Sequence, residues 1–155
     1  MQKRRRWGRP RTIQPIDDRE DFLLSMAHAF GVTVHLADLP GNTRGQYIAE
    51  ESKIYLRRGM AGAQRVSALA HEVVHARRGD VGPQDSCVED HVDEEAAALI
   101  ITERAYALAE TLVGPNPRLL AAELDVSPGL IEAWQRRRNR DYHLPRPHDG
   151  ARLPL

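Results

Sequence analysis

The chain has 155 residues, enough for one domain with a modest core and little beyond it. Hydrophobic residues make up 41% and charged residues 28%, which excludes a chain disordered throughout, and the scarcity of aromatics beside abundant alanine and leucine favours helices. Net charge is zero but uneven: residues 1–11 hold six basic side chains and no acid, residues 136–155 hold six arginines against Asp141 and Asp149, and residues 12–135 hold 10 basic and 20 acidic side chains.

An acidic body between basic ends reads either as tails that touch nucleic acid or an acidic partner, or as solvated ends. The single cysteine, Cys87, excludes an internal disulfide and a cysteine zinc cluster, and it suits the reducing cytoplasm. No apolar run approaches a membrane span, and no apolar stretch follows the basic start, so neither a transmembrane helix nor a secretory signal is expected.

Residues 1–16 read as a basic, disordered arm rich in Arg, Pro and Gly. Asp17 or Asp18 should cap a helix that runs to Phe30, buries Phe22, Leu23, Met26 and Phe30, and stops at Gly31. Residues 32–57 alternate as strands. Leu39-Pro40-Gly41-Asn42 is a turn signal, and residues 46–49 and 53–57 form a hairpin around Glu50-Glu51-Ser52. A helix over 61–78 has the apolar stripe Val66, Leu69, Ala70, Val73 and Val74, ended by Gly79. One long helix is expected from about 85 to 112, burying Val88, Val92, Ala96, Leu99 and Ile100. Gly114-Pro115 breaks it. Short helices over 117–124 and 127–138 follow, then a flexible tail over 141–155. The resulting domains are a core over 17–113 and a helical pair over 114–140 packed on it.

The chemistry sits in Leu69-Ala70-His71-Glu72-Val73-Val74-His75, an H-E-x-x-H pattern on the 61–78 helix. Residues i and i+4 lie one turn apart on one face, so two imidazoles can converge on one zinc ion. Glu72 lies beside the first histidine, placed to take a proton from water at that ion as general base. A catalytic zinc needs a third protein ligand, and Asp93, Glu94 and Glu95 follow on the next helix. The 4-3-4 spacing of Val88, Val92, Glu95 and Leu99 puts Glu95 on the inward stripe, with Glu94 as the alternative. A buried carboxylate is costly unless it meets a cation. His91, one turn before Glu95, and Asp90 are candidates for orienting a ligand or stabilising the transition state. Tyr47, Tyr55 and Tyr106 are candidate donors to an oxyanion.

Residues 47–99 resemble the ImmA/IrrE family of regulatory zinc metallopeptidases of bacteria, phages and mobile elements. The resemblance rests on Ile54-Tyr55-Leu56, Arg65, Leu69-Ala70-His71-Glu72 with His75-Ala76, and Glu95-Ala96 on an acid-rich helix. It implies an α+β, mainly helical, minimal zincin-like fold with a small antiparallel sheet. It implies Zn2+ held by His71, His75 and Glu95, with Glu72 as the base. It further implies a cytoplasmic endopeptidase that cleaves a regulatory protein, such as a helix-turn-helix repressor of a phage or mobile element. Ala97 and Leu99 depart from the pattern at positions that would orient the ligands.

Residues 119–134 also resemble a phage-repressor helix-turn-helix, with Asp125 where Gly is usual and Arg136, Arg137 and Arg138 in reach of phosphates. The other reading is a plain helical hairpin packed on the core. The competing function is therefore a DNA- or repressor-binding module with a structural or vestigial zinc site.

Overall fold

The structure is a computed structural model, which describes Trp7 and residues 11–143. The expected basic side chains of residues 1–6, Arg9 and the tail beyond 143 lie outside the described residues. The fold is α+β and mainly helical, with four strands and six α-helices among the described residues. Among the described residues no helix is long and apolar enough to cross a membrane.

Strands β1 (Arg11–Thr12), β2 (Thr33–Ala37), β3 (Gly45–Ile48) and β4 (Lys53–Arg57) form one sheet in the order β1-β2-β4-β3. The expected hairpin is present: β3 and β4 pair antiparallel, with Tyr47 opposite Ile54, around a 3-10 turn at Ala49–Glu51. Ser52 closes that turn with φ 51°. The sheet as a whole is not antiparallel as expected. β4 inserts between β2 and β3 and runs parallel to β2, pairing Val34 with Ile54 and Leu36 with Leu56. Its sequence carries the reason. Ile54, Tyr55 and Leu56 are consecutive and all buried, so this strand is covered on both faces and belongs in the centre. β3 is left as an edge.

The expectation of a disordered arm over residues 1–16 does not hold for its described part, Trp7 and residues 11–16. Arg11–Thr12 pairs with His35 and Leu36, Ile13 is buried, and Trp7 packs edge-on against Tyr55 with ring centres 4.9 Å apart. Trp7 thereby covers the sheet face opposite the helices, beside Ala37, Leu39 and Ile48.

Helix α1 (Asp18–Ala29) starts at Asp17, whose side chain accepts the Glu20 N–H. It buries Glu20, Leu23 and Ala27. Phe22 and Phe30, expected inside, are 50% and 45% exposed, because the 20-23-27 row meets the core and they lie off it. Glu20 is fully buried and paired with Arg65, which donates from Nε to Oε1 at 2.5 Å and from an Nη to Oε2 at 3.1 Å. The Ile16 N–H adds a third donor at 2.6 Å.

Helix α2 (Gly62–Arg78) is almost as expected. It buries Val66, Leu69, Ala70, Val73 and Val74 and ends at Gly79, whose φ of 72° an L side chain resists. The long helix expected over 85–112 is two helices, α3 (Ser86–Ile100) and α4 (Glu103–Val113). The chain is extended at Ile101, and the Thr102 hydroxyl caps α4 by accepting the Ala105 N–H. Trp134 Nε1 donates to the Ile101 carbonyl at 3.3 Å and satisfies the break. The β-branched run Ile100-Ile101-Thr102 followed by Glu103 carries that signal.

Helices α5 (Pro117–Leu124) and α6 (Pro128–His143) join through Asp125, which has φ 52°. That turn geometry suits the helix-turn-helix reading. The packing supports the hairpin reading: α6 lies along α3 and buries Leu130, Ile131, Ala133 and Trp134, with Trp134 stacked on Tyr106 at 3.9 Å. α6 also continues to His143, into the segment expected to be tail.

Candidate metal centre

Two features of α2 set up the site. The 3.6-residue repeat places His71 and His75 one above the other, and the same helix turns Glu72 toward the edge strand. Their rings meet edge to face with centres 4.7 Å apart.

Each imidazole is held by a carboxylate. His71 Nδ1 lies 2.8 Å from Asp93 Oδ1 and His75 Nδ1 lies 2.9 Å from Asp80 Oδ2. A carboxylate only accepts, so each Nδ1 donates, and in the neutral ring each Nε2 keeps a lone pair. The two Nε2 atoms are 3.0 Å apart, and Glu89 Oε2 stands 3.2 Å from one and 3.5 Å from the other. With both rings neutral, three acceptors thus face one point, an arrangement that repels itself unless a metal ion or a proton lies among them. His71, His75 and Glu89 form a group that could hold a metal ion. Burial opposes charging His71. The hydrogen bond to Asp93 and the charges of Glu72, Asp93 and Glu89 outweigh it and raise its pKa. Burial also opposes the charge on Asp80, but its hydrogen bonds to His75 and Arg78 hold its pKa below the usual carboxylate value.

Glu72 is buried, and that burial lifts its pKa above the ordinary value against the pull of His71, His75 and the Tyr47 N–H. That N–H donates to Glu72 Oε2 at 2.7 Å. The contact exists because Gly45 has no side chain: a Cβ there would sit 2.8 Å from Glu72 Cγ.

Glu95 is not in this group, which corrects the expectation from helical phase. Its carboxylate is engaged by Arg77 and lies 3.6 Å from Arg78. Nor is Glu94, which is buried beneath α6 and bound by Arg140, with Arg136 at 3.8 Å. α3 is covered on two sides, by α2 and by α6, so a single inward stripe does not describe it. The face over the histidines is the i, i+4 pair Glu89 and Asp93. That spacing was readable, one and a half turns before the position to which the apolar stripe pointed. Asp80 follows directly on the helix-ending Gly79 and was also missed.

His91 and Asp90 do not reach the histidines. The exposed His91 ring bonds back to the Cys87 carbonyl at 2.7 Å, and Asp90 lies 3.6 Å from Arg136. Asp93 and Asp80 hold the two histidine rings instead. Of the three tyrosines considered, Tyr47 lines the cleft. Tyr55 donates to Glu51, and Tyr106 is buried in the core, where its hydroxyl accepts from Gln135.

The cleft is two adjoining hollows of about 400 and 330 Å3 that share Thr43, Gly45, His71 and Glu72. One extends to Ser127 and Leu130, so the C-terminal pair walls the site, and the other extends to Gly82 and Pro83. No family model matches the chain, and no curated protein matches it.

Proposed function

We propose that the chain is a zinc-dependent endopeptidase that cuts a regulatory protein, with His71, His75 and Glu89 as ligands and Glu72 as general base. The observation that carries this reading is the convergence of three acceptor atoms beside a buried carboxylate at the floor of an open cleft. The donor set fits zinc. Bonds of about 2.0–2.2 Å in a tetrahedral site give ligand-to-ligand edges of roughly 3.3–3.6 Å, and the edges here, 3.0, 3.2 and 3.5 Å, lie within about 0.3 Å of that range. Both nitrogens are held by carboxylates, the usual support for such ligands.

Zinc, when bound, supplies Lewis acidity and lowers the pKa of water to about 7. The residues do the rest. Tyr47 engages Oε2 of Glu72, so Oε1 is the oxygen that takes the proton of the attacking water and passes it to the leaving amine. Because the Tyr47 N–H points away from β4, the backbone groups of Gly45 and the Tyr47 carbonyl also face outward from this edge strand. An extended substrate backbone can pair there as an added strand. The Tyr47 phenol is the candidate donor to the oxyanion.

The resemblance to ImmA/IrrE peptidases supports a cytoplasmic, repressor-like substrate encoded near this gene. A DNA-binding module is less well supported. Arg136 and Arg140 face Asp90 and Glu94, and Arg138 pairs with Glu110 while lying over the Tyr106 and Trp134 rings.

The decisive experiment uses metal analysis with cleavage of a co-encoded repressor. Wild type should hold one zinc and cut, and Glu72→Gln should hold zinc and not cut. Full activity in Glu72→Gln would remove the peptidase reading.

A further inference from the structure

We propose that Arg44 makes the half of the cleft beside Ser127 and Leu130 selective for an acidic side chain of the substrate. This assignment rests on the peptidase reading and adds a substrate class to it.

Charge is distributed unequally along the cleft once internal pairs are set aside. In the half toward Gly82 and Pro83, Asp80 is engaged by His75 and Arg78, and Glu89 belongs to the metal group. In the other half, Asp93 is engaged by His71. Arg44, at the rim of that half, is exposed and its side chain has neither acid nor carbonyl partner among the described residues. It is a full positive charge left over where the substrate must pass.

Its backbone is nonetheless fixed. Arg57 donates from Nε to the Thr43 carbonyl at 2.8 Å and from Nη2 to the carbonyls of Pro40 and Gly41. The Arg57 N–H donates to the Arg44 carbonyl at 2.8 Å. One arginine is thus used to hold the loop, and the next is presented by it. The hollow beneath Arg44 combines the small or apolar Gly45, Ala68 and Leu130 with Gln64 and Ser67. An Asp or Glu side chain fits that surface, with its stem on Ala68 and Leu130 and its carboxylate meeting the guanidinium in paired hydrogen bonds. A lysine or arginine placed there meets like charge.

The test is a degenerate extended-peptide library with the zinc-loaded full chain. Cleaved peptides should be enriched about tenfold in Asp or Glu at one position on one side of the cut, the size of one charge-assisted hydrogen bond. Arg44→Gln should lose that enrichment, and Arg44→Glu should turn it toward Lys and Arg. Zinc content and Tm of both variants check that they fold. The same library is then bound to immobilised zinc-loaded Glu72→Gln, with and without Arg44→Gln. If nothing is cut but the bound pool is acid-enriched and the enrichment needs Arg44, the peptidase reading fails and the Arg44 assignment stands. A bound pool without acidic enrichment, or enrichment that survives Arg44→Gln, overturns the assignment whatever happens to cleavage.

Discussion

Gly45 touches Glu72 so closely that the edge strand β3 and helix α2 leave no room for a methyl group between them. An added Cβ would lie 2.8 Å from Glu72 Cγ, 3.1 Å from Oε1 and 3.2 Å from Leu56 Cδ2. Two of these atoms belong to the carboxylate side chain itself. Gly45→Ala should therefore push Glu72 away from the Tyr47 N–H without disturbing the histidines. On the proposed peptidase function, cleavage of a co-encoded repressor should fall about 100-fold, the cost of misplacing a reacting group by about 1 Å, while zinc content by atomic absorption stays at one per chain. Unchanged cleavage would mean that Glu72 does not act from this position.

The proposed third zinc ligand is tested by opposing variants of two glutamates on one helix. Glu89→Ala should weaken zinc binding by more than the roughly 10–100-fold expected for an orienting residue, and Asp93→Asn should fall within that range. Glu95→Ala should leave zinc affinity as it was, since that carboxylate faces Arg77 and Arg78. Competition with a chromogenic chelator measures all three. Zinc loss in Glu95→Ala together with retention in Glu89→Ala would reverse the assignment.

Glu20 and Arg65 form a buried ion pair that ties α1 to α2, with Glu20 fully enclosed. Arg65→Met leaves a carboxylate with one remaining donor, the Ile16 N–H. That should destabilise the protein by about 3–5 kcal/mol in urea unfolding. The double variant Glu20→Leu, Arg65→Met should recover most of the loss, because the cost is that of an uncompensated charge. Equal destabilisation in the single and double variants would count against this account.

Trp134 connects three elements: it stacks on Tyr106 of α4, donates to the Ile101 carbonyl at the α3–α4 break and is anchored in α6. Trp134→Ala should cost about 3–5 kcal/mol. A chain ended after residue 113 should fail to give a cooperative thermal melt, since Leu120, Ile131 and Ala133 belong to the same core as α2. A stable, zinc-binding 1–113 fragment would show instead that the C-terminal pair is a separate module.

The sequence alone determined what depends on neighbours a few residues apart. His71 and His75 share a face because a helix repeats every 3.6 residues, Gly79 stops that helix because its φ is positive, and the 46–57 hairpin follows from its apolar runs and turn residues. Tertiary structure decided what depends on which face of an element meets which neighbour. α3 is covered by α2 on one side and α6 on the other, so the apolar stripe that pointed to Glu95 did not identify the face over the histidines. Glu89 became the third member of the metal group because of how α3 crosses α2, and Gly45 and Tyr47 met Glu72 because β4 took the centre of the sheet and left β3 at its edge. Helical periodicity fixes angles around one axis, and only packing fixes where a second axis lies.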